Sequence, residues 1–404
     1  MNYQVVTRFL VLLLFGLGMT SVLTAQAKSQ SFDEQVELED TEGIKHRLPI
    51  DFHVQPGEQT TLTVTGSQLF HDALIITAKN GGVELDLDLV VLCPDSRQKF
   101  AKRESYPSKR YNGYSLHREN RTGWRLEFGK DCTVHAKDLG YPTIEMTTPT
   151  LAWIEVSHSG TLNAEEMVSE HVRIDTGGLA TAVLDRVQAE RVRITVTGSS
   201  NLSIASVDAE LAQVSLSGLA DFELDSIVSP IVLFEQSGSS DSNTTDMVTD
   251  QLVLAANGLS DFVAGKIQSP NEQTNSDVEV STINLSGSAD VTIQSLRLPG
   301  LELKANGLAD LELGQTVTNR LKLSASGSSD VSFKNLAAEE SQIDSSGLAD
   351  IEVETLDSEV IEIQASGSAD VEVQKATVAH IDVRSTGLSD VSIKSKERAE
   401  LNDG

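Results

Sequence analysis

The sequence predicts an all-β chain: a parallel β-solenoid of about 20-residue coils, preceded by a non-repeating β-rich region. Three observations carry this expectation. A phrase of the form apolar-x-apolar-x-x-x-Gly-(Ser/Leu)-(Ala/Ser)-Asp-apolar-x-apolar occurs six times between Ser281 and Lys394, with glycines at Gly287, Gly307, Gly327, Gly347, Gly367 and Gly387. A fixed period of that length marks stacked units, each too small to bury its own apolar face. Apolar residues alternate with polar ones on both sides of each glycine, as at Leu301, Leu303, Leu311 and Leu313 around Gly307, which is strand periodicity with one wet face. A glycine in every unit also argues against helix, where it costs stability and leaves no continuous 3.6-residue stripe.

The period extends backwards. Gly258, Gly238, Gly218, Gly198 and Gly178 keep the 20-residue step, and Gly160 lies 18 residues before Gly178. An apolar residue sits four positions before each glycine, from Val156 and Ile174 through Leu303 and Ile343 to Val383. From Gly178 onward the residue after glycine alternates strictly between Leu and Ser: Leu179, Ser199, Leu219, Ser239, Leu259, Ser288, Leu308, Ser328, Leu348, Ser368 and Leu388. This is a super-period of 40 residues. It admits a coil of 40 residues with two kinds of corner, or one of 20 whose ancestor was duplicated as a pair. A 40-residue circuit would be roughly 130 Å round and would have to flatten or stay hollow, so the shorter coil is expected.

Taken in order, residues 1–27 read as a signal peptide: Arg8, an apolar run from Phe9 to Met19, and Ala25-Gln26-Ala27 as the cleavage site. That run is too short to span a bilayer, and no later segment is apolar enough to be a transmembrane helix. The expected location is therefore outside the cytoplasm: periplasmic, cell-surface or secreted. Residues 28–150 contain alternating runs such as Thr61–Thr65 and Val83–Leu87 between turn pairs like Pro56-Gly57 and Gly81-Gly82, a lead-in region expected to cap the first coil. The chain has two cysteines, Cys93 and Cys132, and an exported compartment favours their pairing. Between them lies a basic insert, residues 97–130, with ten Lys/Arg against three Glu, a net of +7 on a chain of −29. Its candidate binding residues are Lys99, Lys102, Arg103, Tyr106, Lys109, Arg110, Tyr111 and Tyr114. Arginine and tyrosine anchor interfaces, and a basic patch concentrates anionic partners such as acidic glycans or a cell-surface component. The competing reading lays the same insert on the chain's own acidic solenoid.

The repeats occupy residues 151–395, and residues 396–404 form a polar tail. Regularity breaks once. The unit at Gly238 is followed by Ser240-Asp241-Ser242-Asn243-Thr244-Thr245-Asp246, and the next interval holds nine extra residues around Ser269–Asp277. Solenoid insertions emerge as loops.

Each later corner carries an aspartate: Asp221, Asp241, Asp261, Asp290, Asp310, Asp330, Asp350, Asp370 and Asp390. Stacked one coil apart they repel by about 1 kcal/mol per pair at the dielectric of water. The expected remedy is that each carboxylate accepts turn N–H bonds; a row of calcium ions is the other reading. No zinc-protease, nucleophile-elbow or phosphate-loop motif occurs, and His46, His53, His71, His117, His135, His158, His171 and His380 show no ligand spacing. Neither catalytic nor metal-ligating residues are expected, and a net charge of −29 argues against nucleic acid as a partner.

The phrases Ser286-Gly287-Ser288-Ala289-Asp290-Val291 and Ser366-Gly367-Ser368-Ala369-Asp370-Val371, with the entry Thr147-Thr148-Pro149-Thr150-Leu151, resemble the bacterial family of putative auto-transporter adhesin, head GIN domain proteins. The resemblance covers residues 140–395 well and 45–140 loosely. It implies an exported right-handed β-helix and brings no catalytic residues. The functional expectation is a non-catalytic adhesin-like or envelope binding module whose loops carry recognition. The alternatives are a polysaccharide-active β-helix enzyme and a purely structural spacer. Amino-terminal sequencing of the exported protein should find Lys28 first; a start more than a few residues away, or a retained leader, would contradict the cleavage assignment.

Overall fold

The computed structural model describes residues 32–38, 41–79, 81–94, 115–118, 124–127, 132–271 and 280–397. The signal segment lies outside them.

Successive glycines stack. Thr181–Gly198 pairs in parallel with Asn201–Gly218, so that Ile194 faces Val214 and Gly198 faces Gly218. The same step of 20 joins Leu303 to Leu323, Ile343, Ile363 and Val383. One coil is therefore 20 residues, and the Leu/Ser alternation is not a sign of a 40-residue circuit. Within a coil, pairing lapses at Asp185 and Glu190. The inward side chains accordingly fall at Ala182, Leu184, Val187, Val192, Ile194, Val196 and Ser200, all buried. Two slips of the period-2 pattern plus the glycine corner divide each coil into three straight segments around an aliphatic core.

The glycine corner is demanding for two reasons. The eleven glycines from Gly178 to Gly387 have φ between 75° and 92°, a region costly for side-chain-bearing residues. In addition, a Cβ on Gly307 would lie 2.6 Å from the carbonyl oxygen of Gly287. That carbonyl is committed, since it accepts the N–H of Leu308 at 2.7 Å. Gly160 is not part of this series, contrary to the sequence reading. The corner one coil before Gly178 is His158, at φ 62°, whose carbonyl accepts the N–H of Leu179. Ile154, not Val156, then faces Ile174. Gly160 is small for another reason: a Cβ there would come within 2.9 Å of the His46 ring.

The irregular unit keeps its register. Ser242 faces Phe222 on one side and Phe262 on the other, and both it and Thr244 are buried. The Ser242 hydroxyl donates to Gln236 Oε1 at 2.8 Å. The Gln236 amide donates to the carbonyls of Ser240 and Asp261 at 2.6 and 2.7 Å. Phe234 lies edge-on to Phe262 with centroids 5.1 Å apart, so aromatic bulk in adjoining coils fills the space beside these small polar residues. On either side of the nine-residue insertion the ladder resumes, with Gly258 facing Gly287.

The amino-terminal region joins the stack through its own backbone. Its strands are β1 (Phe32–Glu37), β2 (Gly43–His46), β3 (Asp51–Pro56), β4 (Thr61–Gly66), β5 (Leu74–Lys79) and β6 (Gly82–Leu87), with short helices α1 (Gln68–Ala73) and α2 (Leu89–Leu92). Further on come β7 (Ser115–Arg118), β8 (Trp124–Glu127), β9 (Thr133–His135), β10 (Thr143–Thr148), β11 (Trp153–Val156) and β12 (Thr161–Val168). β2 lies in parallel register under β11, and β3 under β12. Below them, β6 and β10 continue the two ladders in parallel. β5, β4 and β1 then turn antiparallel. The parallel stack thereby ends in short antiparallel strands instead of an open coil. The Trp153 indole occupies the space over two glycines, since a Cβ on Gly43 or Gly82 would sit 1.9 or 2.1 Å from its ring atoms.

His46 is buried at this junction, with its ring centroid 5.4 Å from that of Phe52. Nε2 lies 2.9 Å from the Ile50 carbonyl and must donate to it. Nδ1 has no partner, so a second proton there would be an unsatisfied buried charge. Burial lowers the pKa from 6.5 to about 4, against a smaller raising effect of the Ile50 bond. Because the folded pKa is depressed, the unfolded chain takes the proton first as pH falls. The contribution is complete above pH 6.5 and is lost towards pH 4, on the order of 3 kcal/mol in all. Melting temperature should fall between pH 6.5 and 4 more steeply in the wild type than in His46→Gln, which keeps an N–H donor without the titration; parallel curves would refute this. A second test concerns the corner. Gly327→Ala should destabilise by about 1–3 kcal/mol or more, whereas Gly300→Ala, with only Val280 at 3.6 Å, should melt like wild type.

Candidate functional site

The repeated corner presents three columns of outward groups, and the first is the aspartate row. The residue before each Asp is an Ala or Ser, buried at every corner but the last. At Ser240, Ser329 and Ser389 the hydroxyl donates to the carbonyl three residues back, at 3.2, 3.2 and 3.0 Å, as Ser200 does before Asn201, whereas the buried Ser260 hydroxyl has no partner. The Asp amide itself is spent on the coil below: Asp221 N–H donates to Ser200 O and Asp350 N–H to Ser329 O, both at 3.0 Å. These bonds overturn the expectation that each carboxylate collects turn amides. The amides that turn around the corner already serve the inter-coil ladder. Among the described residues, Asp370 alone of the corner carboxylates accepts a backbone N–H, that of Asp390 at 3.3 Å.

The row therefore stands in water, where solvent moderates the repulsion. Its effect shows at Asp261, whose pKa is raised by partial desolvation first and then by Asp241 and Asp290. Among the described residues, no three or more His, Cys, Asp or Glu side chains converge in a way that could hold a metal ion.

The second column is the residue after glycine. Leu179, Leu219, Leu259, Leu308 and Leu348 are 60–63% exposed and Leu388 is 84% exposed, so sequence alternation inside the corner phrase is entirely a surface feature. The third is the residue before glycine, a run of hydroxyl and amide groups such as Ser286, Asn306 and Ser326. Two of these link up the stack, with Ser326 Oγ donating to Asn306 Oδ1 at 2.6 Å.

At the other end of the chain, Cys93 and Cys132 are disulfide-bonded with Cα atoms 5.9 Å apart, which ties the base of the basic insert as expected. Inside that loop, β7 and β8 pair antiparallel, and β9, just past Cys132, completes a separate sheet with them, with Leu126 buried and Arg125 paired to Glu127 at 3.0 Å. Sequence reading treated the insert as an excursion and missed this sheet, although Ser115–Arg118 and Trp124–Glu127 are separated by turn-type residues. The candidate binding residues Lys99, Lys102, Arg103, Tyr106, Lys109, Arg110, Tyr111 and Tyr114 lie outside the described residues.

Concave surface is modest. A shallow groove of about 460 Å³ runs along a second corner, with Val168, Ala189 and Val228 beside Glu190, Asp208 and Glu210.

No curated protein matches this sequence. Among solved structures, the chain is similar to a putative lipid binding protein from Parabacteroides distasonis ATCC 8503, at 11% identity and a TM-score of 0.30, covering 92% of this chain and 98% of that one. It is also similar to a putative adhesin from Bacteroides fragilis NCTC 9343, at 11% identity and a TM-score of 0.28 with the same coverage. Likenesses this distant carry no argument about ligand. The family model described as putative auto-transporter adhesin, head GIN domain, matches residues 41–269 and 266–397. Those spans take in the capping strands from β2 onward, the corner series and both sides of the insertion, and the chain belongs to that family.

Proposed function

We propose that this chain is an exported, non-catalytic, adhesin-like rod that holds a binding segment away from its own bulk. The observation that carries the reading is the continuous in-register stack from β2 and β3 to Asp390–Glu397. Such a stack sets outward side chains in fixed columns and makes the body stiff. Recognition is then assigned to what departs from the repeat. Membership in an adhesin-head family supports the same reading.

The departure with the strongest chemistry is the basic insert, residues 97–130. Its charge of +7 and its tyrosines stand against −36 on the remainder of the chain. An anionic glycan or another acidic cell-surface component is the partner that fits.

The test replaces Lys99, Lys102, Arg103, Lys109 and Arg110 together by Ser. Binding to an acidic-glycan array or to whole cells should fall strongly while the melting temperature holds. If stability drops instead, and raised salt reproduces the loss, the insert clamps the solenoid rather than a partner. If wild-type protein releases new reducing or unsaturated ends from any polysaccharide on the array, the non-catalytic reading is wrong.

A further inference from the structure

A 20-residue coil leaves the Leu/Ser alternation without a structural cause. The residue after each glycine points outward, so the core has no use for two kinds of corner. An exposed corner is served as well by Ser, and five coils have it. Yet six others carry a leucine that is 60% exposed or more. The alternation persists where the rest of the phrase changes: Thr181 and Asn201 replace the aspartate, but Leu179 and Ser199 keep their places. It also survives the nine-residue insertion, because Gly258 stacks on Gly287 and Ser288 N–H donates to Gly258 O at 2.7 Å. In space the teeth run Leu259, Ser288, Leu308 without a skipped step.

The result is a ridge with one leucine every second coil, about 9.6 Å apart, six teeth over about 48 Å. Few partners share that period. A helix offering one residue per heptad advances about 10.5 Å and over five intervals drifts by about 4.5 Å, nearly half a tooth. An extended strand repeats a face every 6.6–6.8 Å or so, and returns to a 10 Å step only on its opposite face. A second stack of 20-residue coils with the same alternation matches at every tooth, and this chain is such a stack.

We infer that two copies of this chain pair side by side and parallel, leucine ridge to leucine ridge. The flanking columns set the direction. On one side of the ridge runs the aspartate row; on the other run hydroxyls and amides such as Ser217, Ser286, Asn306, Ser326, Ser346 and Ser366. A two-fold axis parallel to the rods places each copy's carboxylates over the other's hydroxyl and amide groups, where the Asn306 amide and the Ser217 and Ser366 hydroxyls can donate to them, the protons of Ser286 and Ser326 being given within their own stack. An antiparallel pair would set Asp over Asp along the whole length. If each tooth surrenders about 100 Å², the pair buries about 1,200 Å² in total, the low end for a specific interface. Association in the micromolar range follows. Both rods are acidic, so salt should strengthen the pair rather than weaken it. This pairing does not depend on what the basic insert binds.

Sedimentation velocity on the mature, disulfide-bonded chain, from low to several hundred micromolar, should show a reversible dimer that tightens in high salt. The triple variant Leu219→Ser, Leu259→Ser and Leu308→Ser should weaken dimerisation by about tenfold or more at unchanged melting temperature, since all three side chains are already exposed. Direction is read from single cysteines at exposed serines far apart along the ridge: Ser199→Cys, Ser328→Cys and Ser368→Cys. Each should oxidise to a homodimer with its own kind, because a parallel pair brings equal heights together. A wild-type chain that stays monomeric at every concentration and salt overturns the inference. So does a dimer indifferent to the leucine changes, or one cross-linked only between unlike positions. Leucine-dependent flotation of a monomer with phospholipid vesicles would assign the ridge to a lipid surface instead and would also overturn it.

Discussion

Each coil is held to the next by a parallel backbone hydrogen-bond ladder in which residues 20 apart stand side by side, and the glycine corner is where this ladder leaves the least room. There the chain must turn through positive φ and still bring one glycine's backbone against the carbonyl of the glycine below, closer than a Cβ allows. Because the constraint comes from the neighbouring coil as much as from the turn itself, it recurs at every step, and so does glycine. The exception measures the rule. His158 takes the corner at φ 62° in the first coil, beside the capping strands, where the coil below is no longer a regular repeat.

That same ladder explains what the aspartates do not do. A turn with free amides would draw a carboxylate inward to accept them. Here Asp221 and Asp350 give their own N–H groups to the coil beneath, and the side chain is left facing solvent. The row of like charges is thus a by-product of a satisfied backbone, moderated by water and salt rather than by fixed donors. At Asp261 the carboxyl pKa is raised, by partial loss of solvent first and then by its neighbours Asp241 and Asp290.

Stacking also governs how much irregularity the core accepts. Ser242 and Thr244 enter an aliphatic column because Phe222, Phe234 and Phe262 fill the adjoining space and Gln236 answers the serine hydroxyl. Thr244 finds no hydrogen-bond partner, a cost absorbed by the ladders on both sides. Nine extra residues are tolerated nearby for a related reason: the coils they join remain in register, and the added chain need not enter the core.

Strand periodicity, coil length and the glycine corners were legible in the sequence because they depend on interactions that repeat at a constant separation; Leu303, Leu323, Ile343 and Ile363 declare one column simply by recurring. The two cysteines and the basic insert were legible for a plainer reason, composition. Tertiary structure alone decided the rest, where one residue meets another with no fixed spacing between them. Gly160 kept a glycine's identity but not its corner, because its space is taken by the His46 ring. Trp153 lies over Gly43 and Gly82, two glycines that no period connects to it. The aspartates were expected to find amides nearby in the chain, and the coil below had already claimed them. Leu and Ser alternate visibly in the sequence, but only the stacked fold shows that both point outward. There the alternation has consequences for what meets the surface and none for the core.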